Sequence, residues 1–406
     1  LLSIAFWASI APSRFRIRRM KRFDTVVVGL GAMGSATLYH LAKRAQRVLG
    51  IDRFSPPHPY GSSHGETRIT RLAIGEGAHY TPLALRSHEL WRALEIETGE
   101  RLLTTNGGLI ISSATTSAET HVRNFFANTV LAAERFGIAH EILDAAQIRR
   151  RFPPFNVGDN EIGYFEPSAG FLRPEACIRA HLVMARHHGA DIHCDETVLG
   201  FEPSSDHVIV ATDRNRHAAG TLIIAAGPWL ASLLDARWAS SFRVYRQTLF
   251  WFDVDGAITS FLPQNFPVFI WELPRGRQGV YGFPAVDGPR GGIKVATESF
   301  VETTTADACE RTVGDDEIEA MYASCVAPYL PALSRTCVRT ATCLYTVTPD
   351  FGFVIDAHPE MARVLIASPC SGHGFKHSPA IGDALAQWAI EGSKPAVLQP
   401  FSFARF

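Results

Sequence analysis

The chain has 406 residues, which at roughly 100–200 residues per domain means two or three domains, or one large domain with a long insertion. Hydrophobic residues make up 46% and charged residues 19%, a globular balance that excludes disordered, collagen-like and coiled-coil classes. Lys plus Arg is 39 against 40 Asp plus Glu, for a net charge of −1, so the long-range attraction that nucleic-acid binders rely on is missing and no nucleic acid is expected as a partner.

Residues 1–19 run from apolar to basic, the reverse of a secretory signal, and their apolar stretch is too short to cross a bilayer. They read as an extension ahead of a start at Met20; a basic amphipathic anchor is the competing reading, and stable membrane insertion is not expected. From Phe23 to Asp52 the order is a β-branched run, a glycine turn, a helical pattern and a second apolar run ending in an acid. That is a βαβ unit, which predicts a parallel sheet with a ligand at the carboxyl ends of its strands. A loop rich in Pro, Gly, Ser and His follows, of a length that is usually functional in a compact enzyme.

A helix is expected from about Leu83 to Thr98, then a strand in GGLIISS, and further on a β-branched run in TLIIAAGPW. Between Phe242 and Glu298 the runs RVYRQTLFWFDV, PVFIWEL, GVYGFP and GIKVATE are separated by Pro/Gly turns, which predicts an antiparallel sheet. The last hundred residues return to strand, glycine loop and helix, in VLIASPCSGHGFKHSPAIGDALAQWAI. No internal repeat is present. The fold class expected is α/β and α+β, with two domains whose sequences interleave.

The seven cysteines are scattered, without C-x-x-C or Cys/His spacing. They read as reduced thiols of a cytoplasmic protein, and no metal site is expected.

Gly29, Gly31 and Gly34 form G-x-G-x-x-G between the first strand and helix, and Asp52 ends the next strand. The first glycine permits the turn, the second lets backbone approach a pyrophosphate, and the third lets helix and strand pack closely. The helix amino terminus supplies N–H groups to phosphates, and a carboxylate at Asp52 can accept from ribose hydroxyls. The pattern predicts an adenine dinucleotide without choosing between NAD and FAD.

Four further segments, GSSHGETRITR, YGFP followed by GGIKVA, CLYTVTPDFGFVID and SGHGFK, together resemble the sarcosine oxidase and N-methyltryptophan oxidase family of FAD-dependent amine oxidases. The resemblance runs from about Phe23 to Gly392. It implies a Rossmann-like FAD-binding domain (20–101, 160–232 and 342–396) interleaved with an antiparallel-sheet substrate domain (102–159 and 233–341). It also implies FAD tethered by a thioether to Cys343, and a cofactor set that adds Arg53, His64, Thr67, Val198, Gly227, Gly372, His373, Gly374 and Lys376 to the glycine motif. Arg71 and Lys376 match a clamp for the substrate carboxylate, Lys294 a lysine that activates oxygen, and Arg68 a second cation near the flavin ring. Tyr281 and Tyr345 match pocket tyrosines. The family histidine four residues beyond the lysine is replaced by Glu298, which leaves room for a substrate other than sarcosine.

Two local expectations accompany these matches. The i, i+3 spacing of Arg68 and Arg71 would put both on one face of a helical turn; in the rival reading they pair with Glu66 or Glu76 on a solvated loop. Strand alternation places Lys294, Ala296 and Glu298 on one face, and the helix after His377 would aim its positive end at the glycine loop before it. The activity implied is oxidation of an N-methyl or other N-substituted α-amino acid in a cationic pocket, with O2 as acceptor and hydrogen peroxide as product, by a monomer. The alternatives are a dehydrogenase that passes electrons to a carrier or quinone, a flavin-binding subunit without turnover, and an NAD-binding protein.

Overall fold

The computed structural model describes residues 20–113, 122–273 and 279–406; the extension expected at residues 1–19 lies outside them. The first strand, Lys21–Val28, leads through the glycine turn into the helix Ala32–Lys43 and back to the strand Val48–Ile51, paired in parallel with the first. Arg216–Ile224 runs parallel on the other side of the first strand, Asp191–His193 lies beyond Val48–Ile51, and Met361–Ser368 adds to Arg216–Ile224. Such strands are buried on both faces, which is why they read as continuous Val/Ile/Leu runs. One face is covered by the helices Ala32–Lys43, Thr81–Thr98, Pro174–His187 and Ser378–Glu391, through a core that includes Leu38, Leu41, Trp91, Ile178 and Leu385.

The second sheet is built on two long antiparallel strands, Arg243–Val254 and Leu333–Val347, extended by Ile293–Thr297, Val280–Gly282 and Val268–Trp271. It departs from the expected antiparallel pattern at one place, where Val268–Trp271 pairs in parallel with Gly108–Ser113. A strand arriving from a distant part of the chain is not bound to hairpin geometry, so local turns carry no sign of its direction. Side chains alternate across this sheet. Phe250, Phe252, Phe269, Trp271, Val280, Ile293 and Val295 pack into an aromatic core on one side. Ile270, Tyr281 and Lys294 stand on the other.

A small third sheet joins the two, with Arg68–Thr70 and Leu103–Thr105 on either side of Gly170–Leu172. Arg68 therefore lies in a strand and Arg71 directly after it, which corrects the expected helical turn. Three residues of strand are too few for a periodic signal, and an isolated helical turn has nothing to offset its nucleation cost. Among the described residues no helix is long and apolar enough to cross a membrane, and all seven cysteines are free.

Candidate active site

Two cavities meet between the sheets. The first, about 200 Å³, runs from the glycine turn to the loop at Gly372. Gly29 has φ +84°, and a Cβ on Gly34 would stand 1.7 Å from the Gly29 carbonyl oxygen, so the turn and the helix contact both require glycine. Gly31, at the start of the helix, lines the cavity, and a Cβ there would touch the Ser63 hydroxyl at 3.7 Å. Asp52, Arg53, Val198, Gly227 and Gly374 line the same walls. Asp52 also organises the turn, since its carboxylate accepts from the Leu30 amide at 2.6 Å and the Phe54 amide at 2.8 Å. Burial raises its pKa against those two hydrogen bonds. Arg53 turns outward to Asp307, at 2.9 Å. The buried hydroxyl of Ser368, also in the wall, has no hydrogen-bond partner among the described residues. A glycine cradle at a helix amino terminus and a hydroxyl awaiting a partner fit a dinucleotide.

The second cavity, about 350 Å³, is lined by Thr67, Arg68, Arg71, Tyr281, Glu298, Tyr345, His373 and Lys376 among others. Arg71 and Lys376 are both buried here. Arg71 is 2.5 Å from Glu76, with side-chain exposures of 4% and 9%, and its guanidinium lies over the Phe125 ring. The pairing with Glu76 weighed at the sequence level is therefore real, but it is buried inside the pocket wall and not on a solvated loop. Burial would raise the Glu76 carboxyl; Arg71, Lys376 and His373 outweigh that and hold it well below its usual range. Lys376 donates to the His373 carbonyl at 2.7 Å, and burial lowers its pKa to about 8 despite the charge of Glu76. Tyr281 and Tyr345 are hydrogen-bonded to each other, and burial lifts Tyr281 to about 12.

Arg68, Tyr345, Gly372 and Phe375 belong to the walls of both cavities. Behind that seam stand Cys343 and Lys294, neither of which is in a cavity wall. The Cys343 sulfur is 3.4 Å from the Arg68 guanidinium and almost fully buried. Lys294 donates to the carbonyls of Gly65 at 2.7 Å and Thr67 at 3.1 Å and to the Thr67 hydroxyl at 3.2 Å. Burial, reinforced by Arg68, pushes its pKa well down, while three oxygens around Nζ match the three protons of an ammonium. Glu175 steadies this loop by accepting from the Gly65 amide at 2.7 Å. His64 lies along a separate cleft with Arg311 and Arg339, and burial with Arg68 and Lys294 nearby lowers its pKa to about 3.

Two pocket carboxylates escaped the sequence reading as site residues. Glu76 was considered only as a surface partner, and Glu272 not at all, yet both line the second cavity. An acid ending the apolar alternation of PVFIWEL was the available signal for Glu272. With Glu298 they make three carboxylates in a pocket expected to be simply cationic. Away from the seam, His193, Glu196 and His217 stand close enough to share a metal ion. Glu196 is already engaged by His193 at 2.9 Å and Thr212 at 2.6 Å.

The class defined by this arrangement is matched independently: residues 24–388 fit the model of the DAO family of FAD-dependent oxidoreductases, and the chain belongs to that family. Monomeric sarcosine oxidase of Streptomyces avermitilis is 40% identical over 372 residues, 91% of this chain and 94% of the relative. N-methyl-L-tryptophan oxidase of Yersinia pestis is 33% identical, covering 95% and 99%. In fold the chain is similar to NikD, an unusual amino acid oxidase essential for nikkomycin biosynthesis, with a TM-score of 0.80 at 24% identity over 94% of this chain and 97% of that one. It is likewise similar to glycine oxidase of Geobacillus kaustophilus, with a TM-score of 0.74 at 20% identity over 95% and 99%.

Proposed function

We propose that the protein is an FAD-dependent oxidase of N-methyl or other N-substituted α-amino acids. The observation that carries this reading is the shared wall: a dinucleotide-shaped cavity meets, at Arg68 and Tyr345, a cavity holding two buried cations suited to a carboxylate. When bound, FAD supplies the hydride acceptor and passes the electron pair to O2, so that the amine leaves as an imine, which hydrolyses, and hydrogen peroxide forms.

The chain's own residues do the rest. Gly29, Gly31 and the first turn of the helix Ala32–Lys43 hold the pyrophosphate, and Asp52 keeps the turn in shape for it. Gly227, Val198, Gly372 and Gly374, in the walls of the same cavity, would hold the rest of the cofactor. Cys343 is the residue for a thioether tether, its sulfur lying 3.4 Å from the Arg68 guanidinium. Arg71 presents two donors to the substrate carboxylate and Lys376 a point charge. Before substrate arrives, Glu76 occupies Arg71 and keeps a buried guanidinium from standing uncompensated. Tyr281 and Tyr345 close the pocket around the amine and exclude water. Lys294, held by Gly65 and Thr67, places positive charge behind the seam where charge develops on dioxygen. The protein would act as a monomer.

The reading is tested by mixing holoenzyme under air with sarcosine, N-methyltryptophan, proline, pipecolate and other N-alkyl amino acids and measuring peroxide. Stoichiometric peroxide from at least one N-substituted amino acid is the expected result. Flavin reduction without peroxide would convict the protein as a dehydrogenase, and no reduction by any of them would reject the proposal.

A further inference from the structure

The substrate cavity carries more negative charge than an amino-acid clamp needs, and the sheet register shows where. Ile111 pairs with Trp271, Trp271 with Val280, and Val280 with Thr297. The next row across the four strands is therefore Ser112, Glu272, Gly279 and Glu298. By alternation this row points the same way as Ile270 and Tyr281, into the cavity, and Glu272, Gly279 and Glu298 all line it. Two acids thus flank a glycine, with about 9–10 Å between their backbones at 4.7–4.9 Å per strand. Gly279 carries no side chain of its own into the space between the two carboxylates, and it lines the cavity there. Val122, Phe125, Phe300 and Val301 form apolar walls of the same cavity.

Resting on the amine-oxidase reading above, we propose that the substrate is an N-substituted α-amino acid whose side chain ends in a cation, an ammonium or guanidinium held over Gly279 between Glu272 and Glu298. Its α-carboxylate is held by Arg71 and Lys376, and its apolar stem lies along the Val122–Phe125 and Phe300–Val301 walls. Charge balance favours this arrangement. Glu76 already answers Arg71 at 2.5 Å, whereas Glu272, 5% exposed, has no lysine, arginine or histidine within ion-pair distance among the described residues. What steadies the Glu272 carboxylate is the Ser112 hydroxyl and the Phe126 amide, which do not offset burial, so its pKa is raised. Glu298 stands nearer the clamp: its Oε1 lies 2.7 Å from where a Cβ on Gly372 would be, and its charge is felt by Lys376 and Tyr345. A ligand cation between the two carboxylates supplies a counter-charge that no described residue gives Glu272, and a buried charge is stable only when paired.

The test separates binding from turnover by using ether analogues, in which a methoxy oxygen replaces the oxidisable nitrogen. Calorimetry on holoenzyme compares 2-methoxy-6-aminohexanoate with 2-methoxyhexanoate and 2-methoxy-6-hydroxyhexanoate. The aminohexanoate is expected to bind about 30-fold or more tightly than either, the scale of a buried charge pair, and Glu272→Gln or Glu298→Gln should remove most of that preference. Equal binding of the uncharged chains, or of the hydroxyl compound, would overturn the proposal; this comparison on the unmutated protein stands even if neither variant folds. Flavin reduction by Nα-methyl-lysine and Nα-methyl-norleucine runs in parallel. Reduction by both with no cationic preference overturns the side-chain assignment alone, while reduction by no N-methyl amino acid overturns the amine-oxidase reading and this proposal with it.

Discussion

The two cavities are built from different material. The walls of the first are largely backbone and small residues at strand ends: Gly29, Gly31, Ala225, Gly227, Gly372 and Gly374. The second is walled by ionisable side chains brought in from four separate elements, with Arg71 and Glu76 after a short strand, Glu272 and Glu298 each at the end of its own sheet strand, and Lys376 before a helix. A backbone-made cavity fixes what it binds through shape and N–H groups, and tolerates few substitutions. A cavity made of side chains can exchange its ligand by exchanging one charge.

This contrast can be broken by mutation. The largest effect is expected from Arg71→Ala. Carboxylate ligands should bind on the order of 100-fold more weakly, as when one partner of a desolvated charge pair is removed, and the protein should lose roughly 3 kcal/mol of stability because Glu76 is left buried without its guanidinium. Calorimetric titration and thermal unfolding measure the two; unchanged affinity would dismiss the clamp. Lys294→Met should slow reoxidation of the reduced enzyme by about 100-fold, the scale of removing one preorganised charge, and slow its reduction far less. Stopped-flow traces with equal losses in both steps would count against an oxygen-activating role.

A smaller effect sharpens the electrostatics. With its pKa lowered to about 8, Lys376 is cationic below that pH and loses its proton above it. A bound carboxylate favours the protonated form, so binding takes up a proton above pH 8. Affinity for 2-methoxyhexanoate, which has no amine to titrate, should be flat below about pH 8 and fall by about tenfold per pH unit above it. Affinity that rises with pH would have the wrong sign, and Lys376→Met should abolish the dependence. The smallest effect is expected for Cys343→Ala, which should leave clamp-ligand affinity within about threefold, since a free thiol on the cofactor side contributes little to the substrate walls. If the tether exists, acid precipitation should strip the yellow colour from the variant but not from the unmutated protein.

The same contrast explains what could be read in the sequence. The glycine turn, Asp52 and the parallel strands announce themselves because each is local: a turn, an acid at a strand end, a continuous apolar run. The long strand Arg243–Val254 is legible for the same reason. The i, i+3 spacing of Arg68 and Arg71 suits a helical turn, because spacing alone carries no information on a three-residue strand paired with residues a hundred positions away. The pocket role of Glu76 depends on a turn folding back onto Arg71, and that of Glu272 on sheet register. Only once Trp271, Val280 and Thr297 are aligned does it follow that the next residues form a row facing the cavity. The parallel neighbour Gly108–Ser113, which brings Ser112 beside Glu272, follows from no local turn.

The central claim, that a flavin and a carboxylate clamp share one wall, is most directly tested by anaerobic bleaching of the 450 nm band. An Nα-methyl amino acid and the N-methyl amine that lacks only its carboxylate are offered at equal concentration. The amino acid should bleach the band at least about 100-fold faster at subsaturating concentration, on the scale of a buried ion pair. Equal bleaching by both amines, or none by either, would contradict it.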